Sequence, residues 1–205
     1  LQETAMTRKE PHEKRTGDIL DAAVAEFVEK GYENTSVESI ARRAGLTKGG
    51  LYHHFGSKDE ILMKANARFS EPIEKIAREA FADKSPSHGL KRYISSYLSW
   101  WSEHERELTF IFLSLTKAVS DSKLRGIYEG YDEEVAGFLA ELYRAGIRKG
   151  EFTDFDPRPV SRALYAALDG ILCYIILSPD LTAEKAASDL CTSFITPYKN
   201  GKKQS

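Results

Sequence analysis

Residues 35–58 read TSVESIARRAGLTKGGLYHHFGSK, and this stretch decides the fold. Apolar residues recur at helical spacing on both sides of Gly45-Leu46-Thr47, which predicts two short amphipathic helices joined by a tight turn. Gly45 supplies the positive φ that such a turn needs. This layout is that of a helix-turn-helix, and the side chains predicted to face inward are Val37, Ile40, Ala41, Ala44, Leu46, Leu51 and Phe55.

Hydroxyl side chains stand at the predicted helix starts. Thr35-Ser36-Val37-Glu38 and Ser57-Lys58-Asp59-Glu60 each fit a capping box, and Thr47 can cap the helix between them. Backbone amides at such starts are suited to binding phosphate. Gly49 and Gly50 cost about 1 kcal/mol each against alanine in a helix, but they permit close approach to something large and flat. The outward face of this helix is predicted to be Lys48, Gly49, Gly50, Tyr52, His53 and His54.

Charge is locally positive in the same region. The whole chain carries 29 basic and 31 acidic residues, a net charge of −2 that does not indicate a nucleic-acid binder. The window from Ser39 to Lys58, however, contains no acid and four basic residues, Arg42, Arg43, Lys48 and Lys58. A local positive face is typical of a site for an anionic partner, and a solvated basic loop would have the same composition.

Helical periodicity continues along the rest of the chain, and strand patterns are nearly absent. A first helix is predicted from Thr16 to Lys30 with Gly31 as its stop, and another from Ser57 that Pro72 bends or interrupts. Five more are predicted at Ser87–His104, Glu107–Val119, Ser122–Lys149, Pro157–Leu177 and Thr182–Tyr198. The expected fold is therefore all-α with about nine helices. Residues 1–62 would hold an N-terminal tail and the helix-turn-helix, and residues 63–205 the longer helices.

Composition excludes several other classes of protein. The chain has 205 residues, of which 41% are hydrophobic and 29% charged, as in globular domains. Its longest apolar run, Ile171–Leu177, is far shorter than the roughly 20 residues that cross a bilayer. The first sixteen residues contain no apolar stretch, so no secretory signal is expected. Two cysteines do not make a disulfide framework, which favours a cytoplasmic protein.

Residues 16–62 resemble the DNA-binding domain of the tetracycline-repressor (TetR) family. The resemblance is carried by Gly31-Tyr32, by residues 35–55 and by Ser57-Lys58-Asp59-Glu60-Ile61-Leu62. The remaining two thirds of the chain agree with the family only in length and helicity. The resemblance implies a homodimer. It also implies that residues 1–62 hold an N-terminal tail and a three-helix DNA-binding domain, and that residues 63–205 form a larger helical domain for effector binding and dimerisation.

The resemblance also implies roles for individual residues. The major-groove face that reads base edges would consist of Lys48, Gly49, Gly50 and His53. Phosphate contacts are implied for Thr35, Ser36, Thr47, Tyr52, His54 and Lys58. Arg42 and Arg43 are either further phosphate contacts or solvated surface charges. His53 stands where several relatives have tyrosine, and Gly50 lacks a side chain that some relatives use for readout, which favours reliance on DNA shape.

Basic residues near the N-terminus admit two readings. Arg8, Lys9, Lys14 and Arg15 could reach along the DNA backbone or into the minor groove, or they could form a solvated tail.

Aromatic residues crowd the predicted helices between residues 87 and 177. They indicate either a lined cavity for a small molecule or an aromatic core. Asp169 is the one acid in a strongly apolar helix, where it would be a ligand anchor or a structural hydrogen-bond acceptor. The residues predicted to bind a largely apolar effector are Tyr97, Trp101, Phe112, Tyr128, Tyr131, Tyr165 and Asp169.

Catalytic and metal sites are not indicated. His53 and His54 are adjacent, so their side chains would point about 100° apart on a helix and would not easily chelate one ion. Cys173 and Cys191 are typical of small buried residues. No nucleophile, phosphate-loop or zinc-protease motif is present, so no catalytic residue and no cofactor is predicted.

The leading hypothesis is a homodimeric repressor that a small apolar effector releases from a palindromic double-stranded DNA operator, with no membrane partner. The alternative is a DNA-binding architectural protein without an effector. A helical enzyme acting on small molecules is a third hypothesis, disfavoured because no nucleophile–base arrangement is present.

Overall fold

The computed structural model describes residues 3–178 and 180–201, and their side chains from residue 13 onward. Within these residues the chain is all-α, as predicted, with ten α-helices, one 3-10 turn and no strand. The helices are α1 (Glu3–Asn34), α2 (Val37–Arg43), α3 (Lys48–Tyr52), α4 (Lys58–Ala67), α5 (Ser70–Phe81), α6 (Pro86–Glu103), α7 (Glu105–Ala118), α8 (Ser122–Arg148), α9 (Pro157–Leu177) and α10 (Ala183–Phe194), and Thr196–Tyr198 form the 3-10 turn.

The first and fourth predicted helices differ most from the structure. The first helix begins at Glu3 rather than Thr16, and Gly31, with φ of 75°, forms a kink within it rather than its end. The helix predicted to start at Ser57 is two helices, because the chain leaves helical structure between Ala67 and Ser70. Pro72 therefore lies in the first turn of α5, where proline is tolerated. This division gives ten helices instead of nine.

The chain forms two compact units. The first contains the residues up to Ser70 together with Arg106–Leu124, and the second contains Glu71–Glu105 and the residues from Arg125 onward. The compact units thus do not coincide with the predicted division at residue 62, because α7 packs with the first unit. The ring of Phe110 in α7 lies 6.0 Å from that of Phe27. The division by function at residue 62 stays a prediction.

The first unit has a core beneath the helix-turn-helix. Helix α1 packs against α2 and α4, and it buries Ile19, Ala23 and Phe27 completely or nearly so. From the helix-turn-helix, Ile40, Ala41, Leu51 and Phe55 are buried, as predicted, whereas Val37, Ala44 and Leu46 are half-buried. These contacts fix the orientation of α3 and leave its opposite face to solvent.

The second unit is built around α6. This helix packs against α9 and α10, and it buries Leu90, Tyr93, Ile94, Tyr97, Leu98 and Trp101. Gly89 allows α6 to begin close to the end of α5, since a Cβ there would lie 2.4 Å from the carbonyl oxygen of Ala80. Near the C-terminus, the Tyr143 hydroxyl donates to the carbonyl oxygen of Phe194 at 2.6 Å. These contacts join α5 to α6 and α8 to the end of α10.

Helix α9 buries only one of its faces within the chain. It is long and apolar enough to cross a membrane by length and composition, yet only 22% of its most apolar window is buried. A single helix of this kind is weak evidence for a membrane span. Tyr174 is 63% exposed and Leu177 is 77% exposed. Helix α9 therefore exposes a large apolar surface that the core of its own unit does not cover.

Candidate DNA interface and effector cavity

Helix α2 begins one residue later than the sequence pattern suggests. Ser36 is its N-cap, and its hydroxyl oxygen accepts a hydrogen bond from the backbone amide of Ser39 at 3.0 Å. The Ser39 hydroxyl oxygen in turn accepts from the Ser36 amide at 3.2 Å. The capping box therefore joins Ser36 to Ser39, not Thr35 to Glu38 as predicted.

Thr35 is placed differently from the expectation for a phosphate contact. Its residue surface is only 2% exposed, and its hydroxyl is within donating distance of the carbonyl oxygens of Glu26, at 3.0 Å, and Gly31, at 2.8 Å. A buried hydroxyl that donates to backbone carbonyls cannot also donate to a phosphate. This corrects the predicted role of Thr35, whose side chain joins the end of α1 to the start of α2.

Helix α3 presents a polar face to solvent. Thr47 caps it by accepting from the Gly50 amide at 3.1 Å, and Gly45 makes the preceding turn with φ of 68°. Lys48, Gly49, Tyr52 and His53 are exposed, and Gly50 and His54 are half-buried. The structure thus brings most of the predicted DNA-binding residues onto one short helix and the residues that follow it.

Lys48 is paired within the protein. Its ammonium group donates to the carboxylate of Glu38 on α2 and lies 6.0 Å from the centre of the Tyr52 ring. The bond to Glu38 raises the pKa of Lys48 and lowers that of Glu38. Both side chains are about half exposed, so water or a nucleic acid can replace either partner at small cost.

Lys58 is held by the backbone of the first unit. Its Nζ donates to the carbonyl oxygens of Tyr32, at 2.8 Å, and Thr35, at 2.9 Å, and lies 4.1 Å from the centre of the Tyr32 ring. An ammonium group has three donors, so one remains for a phosphate. Lys58 therefore has a structural role in addition to the predicted DNA contact.

Arg43 is also engaged inside the protein. Its Nε donates to Glu26 at 2.8 Å, and its two terminal nitrogens donate to Glu29. These ion pairs give Arg43 a structural role that neither of its two predicted readings included, and the phosphate contact stays a prediction. Arg42 is exposed.

Glu26 is the residue of this region that sequence reasoning missed. It is 3% exposed, and it accepts hydrogen bonds from Arg43 and from Lys30, the latter at 2.6 Å. Burial alone would raise the pKa of Glu26, but hydrogen bonds from Lys30, Ser39 and Arg43 outweigh it and lower the pKa from 4.5 to about 2. One indication was present in the sequence, because Glu26 directly precedes Phe27 on the apolar face of α1.

The structure describes the side chains of only some of the basic residues near the N-terminus. Arg8 and Lys9 lie outside the residues whose side chains are described. Lys14 is exposed, and Arg15 lies 4.0 Å from the carboxylate of Asp18 in a solvent-exposed pair. Both readings of this segment stay open.

In the second unit, tyrosines surround Asp169. The Tyr97 hydroxyl donates to the Asp169 carboxylate at 2.8 Å, and Tyr165 also hydrogen-bonds to it. Burial raises the pKa of Asp169 from 3.8 to about 6, while these two hydrogen bonds act in the opposite direction and the nearby Asp132 adds to the increase. Among the described residues, no lysine or arginine forms an ion pair with Asp169. Asp169 is therefore at least a structural acceptor, and a contact with a ligand stays a prediction.

A cavity of about 500 Å³ lies between α5, α6 and α8. Its lining is mostly apolar and consists of Ile73, Glu74, Ala77, Arg78, Phe81, Ala82, Tyr93, Tyr131, Glu134, Val135 and Phe138. Of the seven residues predicted to bind an effector, only Tyr131 lines this cavity. The prediction did not include α5, because the break before Ser70 and the direction of its apolar face depend on tertiary packing.

The other predicted effector residues lie elsewhere. Trp101, like Tyr97 and Tyr165, is buried within the second unit, and Tyr128 is half-buried in α8. Phe112 lies on α7 and belongs to the first unit. Of the seven predicted effector residues, Tyr131 therefore lines the cavity, and Tyr97 and Tyr165 lie beside Asp169. The remaining three, Trp101, Tyr128 and Phe112, belong to neither group.

The structure offers no cluster for a metal ion in the part of the chain it describes. No group of three or more histidine, cysteine, aspartate or glutamate side chains is placed to hold one there. Cys173 and Cys191 are unpaired by disulfide and half-buried.

Comparison with known proteins covers nearly the whole chain. The family described as bacterial regulatory proteins, tetR family, matches residues 19–65, and that described as BetI-type transcriptional repressor, C-terminal, matches residues 86–197. The transcriptional regulator PksA of Bacillus subtilis is 28% identical over 180 residues, which cover 85% of this chain and 84% of that protein.

Solved structures with a similar fold agree. The TetR family regulator PfmR of Thermus thermophilus superposes with a TM-score of 0.70 at 26% identity, covering 86% of this chain and 96% of PfmR. A regulator from Saccharomonospora viridis in complex with choline gives a TM-score of 0.81 at 20% identity, covering 92% of this chain and all of that one. At that identity the second likeness concerns the fold alone.

Proposed function

This chain belongs to the TetR family of bacterial regulatory proteins, and we propose that it is a homodimeric repressor that a small molecule releases from a palindromic operator. It is a DNA-binding transcriptional regulator and not an enzyme. The observation that supports the proposal most directly is the exposed polar face of α3 above a buried helix-turn-helix core. Double-stranded operator DNA, an effector and a second copy of the chain are its proposed partners.

Contacts with DNA divide into two groups. Lys48, Gly49, Gly50 and His53 would face base edges in the major groove, where bases present distinct donors and acceptors. The proposed phosphate contacts are Ser36, Arg43, Thr47, Tyr52, His54 and Lys58. Lys48 would exchange its bond to Glu38 for a base, which both exposed partners permit. A protein that acts on an operator would work in the cytoplasm, which is the proposed location.

Dimerisation is proposed to involve α9 and α10. The exposed Tyr174 and Leu177 on α9 lie outside the core of their own unit and need a partner surface. Light scattering at micromolar concentration should give twice the 23.0 kDa of one chain, and Leu177→Lys should reduce it towards that value. A monomeric wild-type protein would contradict the proposal.

Release from the operator would be a shift between two conformations. Binding to a palindrome needs two recognition helices in successive major grooves, roughly 34–36 Å apart. An effector that prefers a conformation with another spacing must lower the affinity for DNA, because linkage is reciprocal. The cavity in the second unit has a volume suited to a small-molecule effector, which supports the proposal. The sequence predicts that this effector is largely apolar. The choline complex of the Saccharomonospora viridis protein supports a small-molecule site in this fold.

One experiment tests the function as a whole. An operator selected from random duplexes is labelled, and its release from the protein is followed by fluorescence anisotropy during titration with metabolites that raise the protein's melting temperature. A ligand at 100 times its Kd stabilises the folded state by about 2.7 kcal/mol. Stabilising ligands that never change operator affinity would favour the alternative, an architectural protein without an effector.

A further inference from the structure

The cavity between α5, α6 and α8 has an aromatic wall. Its rings pack on one another, since Phe138 lies 6.3 Å from Phe81 and 5.2 Å from Tyr93 between ring centres. Tyr131 adds a fourth ring. Such a wall binds an apolar body, and ring faces also attract a cation.

Charge at the cavity is negative. Two carboxylates, Glu74 and Glu134, belong to the lining, and Arg78 is the single basic residue among the lining residues. Arg78 is directed at Glu74, to which it donates at 3.4 Å. The Glu134 charge therefore has no cation beside it in the lining.

Two further carboxylates, Asp169 and Asp132, also act on Tyr131, which lines the cavity. Burial, followed by the charges of Asp169, Glu134, Glu74 and Asp132, raises the pKa of Tyr131. Four acids thus contribute negative potential at one hydroxyl that lines the cavity. An anionic ligand placed there would meet repulsion, whereas a cationic ligand would gain from all four charges.

A tyrosine hydroxyl also belongs to the cavity. Tyr93 lines the cavity, and its residue surface is 1% exposed. A phenol oxygen is a hydrogen-bond acceptor as well as a donor. The Tyr93 hydroxyl can therefore accept a hydrogen bond from an ammonium group.

We infer that this cavity binds a small organic cation, namely an apolar body carrying a protonated amine or a quaternary ammonium group. The aromatic rings would enclose the apolar body, and Glu134 and Glu74 would lie nearest the positive charge. The inference rests on the proposed function in taking the cavity as the effector site, and it replaces a purely apolar effector with a cationic one.

Three compounds with one skeleton test the charge preference directly. Isothermal titration calorimetry on the full chain without DNA, at pH 7.5, compares 4-phenylbutylamine, 4-phenylbutanol and 4-phenylbutyrate. The amine should bind about tenfold more tightly than the alcohol, as for a partly buried cation on aromatic faces, and the carboxylate should bind most weakly. Glu134→Gln should reduce the ratio of amine to alcohol affinity at least threefold.

A matched control is the neighbouring acid. Glu133 does not line the cavity, and it pairs at the surface with Arg162 at 3.2 Å. Glu133→Gln removes the same charge and should leave the ratio unchanged. Equal binding of amine and alcohol, no saturable binding of any compound at millimolar concentration, or the same ratio in Glu134→Gln would overturn the inference.

Operator release is measured separately with the same compounds. If the amine binds with the stated preference and the operator stays bound, the cation site stands and the effector role of this cavity is wrong. If the operator is released by ligands that do not compete with the amine, the proposed function stands and the effector site lies elsewhere. The two failures are therefore distinguishable.

Discussion

Glu26 in the first unit and Asp169 in the second are acids set among apolar residues, and their surroundings shift their pKa values in opposite directions. Glu26 accepts from Arg43 and Lys30 and keeps its charge, with a pKa of about 2. Asp169 accepts from tyrosine hydroxyls, and its pKa is about 6. The DNA-binding unit thus compensates its buried charge, whereas the second unit leaves its charge available.

The difference matches what each unit is proposed to bind. DNA is a dense anion, so the first unit supplies cations and positions them with carboxylates such as Glu26 and Glu38. The proposed cation site needs carboxylate charge that no internal cation neutralises, and Glu134 supplies it in the lining. Each prediction below tests one side of this contrast.

The largest effect is expected for Glu26→Gln. The change removes a buried charge that two basic side chains bond to, so the free energy of unfolding at pH 7 should fall by about 2–3 kcal/mol. Urea denaturation at fixed protein concentration measures it. Glu29→Gln is the matched control, because Glu29 bonds to the same Arg43 but is half exposed, and it should change stability by less than about 1 kcal/mol.

The pH dependence of this loss has a defined sign. Since the pKa of Glu26 is lowered on folding, its contribution is complete above about pH 4.5 and disappears as the pH falls towards about 2. The difference between wild type and Glu26→Gln should shrink over that interval. A difference that stays constant down to pH 2.5 would contradict the assigned role of the charge.

Asp169→Asn should have the opposite effect. The folded pKa of Asp169 lies above its ordinary value, so stability is complete below about pH 4 and is lost as the pH rises through 6. Asparagine keeps an acceptor for Tyr97 and cannot ionise. The variant should therefore be more stable than wild type by about 1–2 kcal/mol at pH 7.5, a value discounted because Asp169 is half-buried.

The control for Asp169 is an exposed acid in the same unit. Asp154→Asn should shift the free energy of unfolding at pH 7.5 by less than about 0.5 kcal/mol. If Asp169→Asn destabilises the protein at pH 7.5, the carboxylate is compensated by a partner and the contrast with Glu26 fails.

Helix periodicity and capping residues predicted most of the fold from the sequence. Pro157–Leu177 was predicted at its observed bounds, because Asp156 and Pro157 mark its start and apolar residues fill its length. Pro72 predicted an interruption of the helix that starts at Ser57, but the break lies earlier, at residues 68–69. Neither Arg68 nor Phe69 disfavours a helix, so no local pattern marks this position, where the rings of Phe69 and Phe110 lie 6.0 Å apart.

The candidate sites were likewise predictable only where they depend on local spacing in the sequence. The exposed face of α3 follows from local spacing, because it lies opposite Leu51 and Phe55. The bonds of Thr35 and Arg43 to α1 depend on residues 9 and 17 positions away, which no local pattern specifies. The cavity between α5, α6 and α8 likewise depends on how separate helices pack. The aromatic content of residues 87–177 left an aromatic-lined cavity and an aromatic core as alternatives, and of the residues predicted to line the cavity only Tyr131 does so.

Sequence discrimination should depend on Lys48 more than on Lys58. Lys48→Ala should reduce the ratio of operator to random-DNA affinity about fivefold, or roughly 1 kcal/mol, the lower end for a base contact. Lys58→Ala should weaken both duplexes about equally and also lower stability, because Lys58 bonds to the carbonyls of Tyr32 and Thr35. Anisotropy titrations at one fixed salt concentration measure both. An unchanged ratio in Lys48→Ala would remove the readout role.

The smallest effect is expected for Glu38→Gln, which frees Lys48 from its carboxylate partner. Affinity for operator and for random DNA should both rise about two- to threefold, because Lys48 no longer exchanges an internal ion pair for a DNA contact. A double-mutant cycle separates this effect from a general loss of negative charge. In a Lys48→Ala background, Glu38→Gln should change DNA affinity by a smaller factor than in wild type. An equal increase in both backgrounds would mean that Glu38 repels phosphates directly, and that the compensated charges of the first unit do not limit DNA binding.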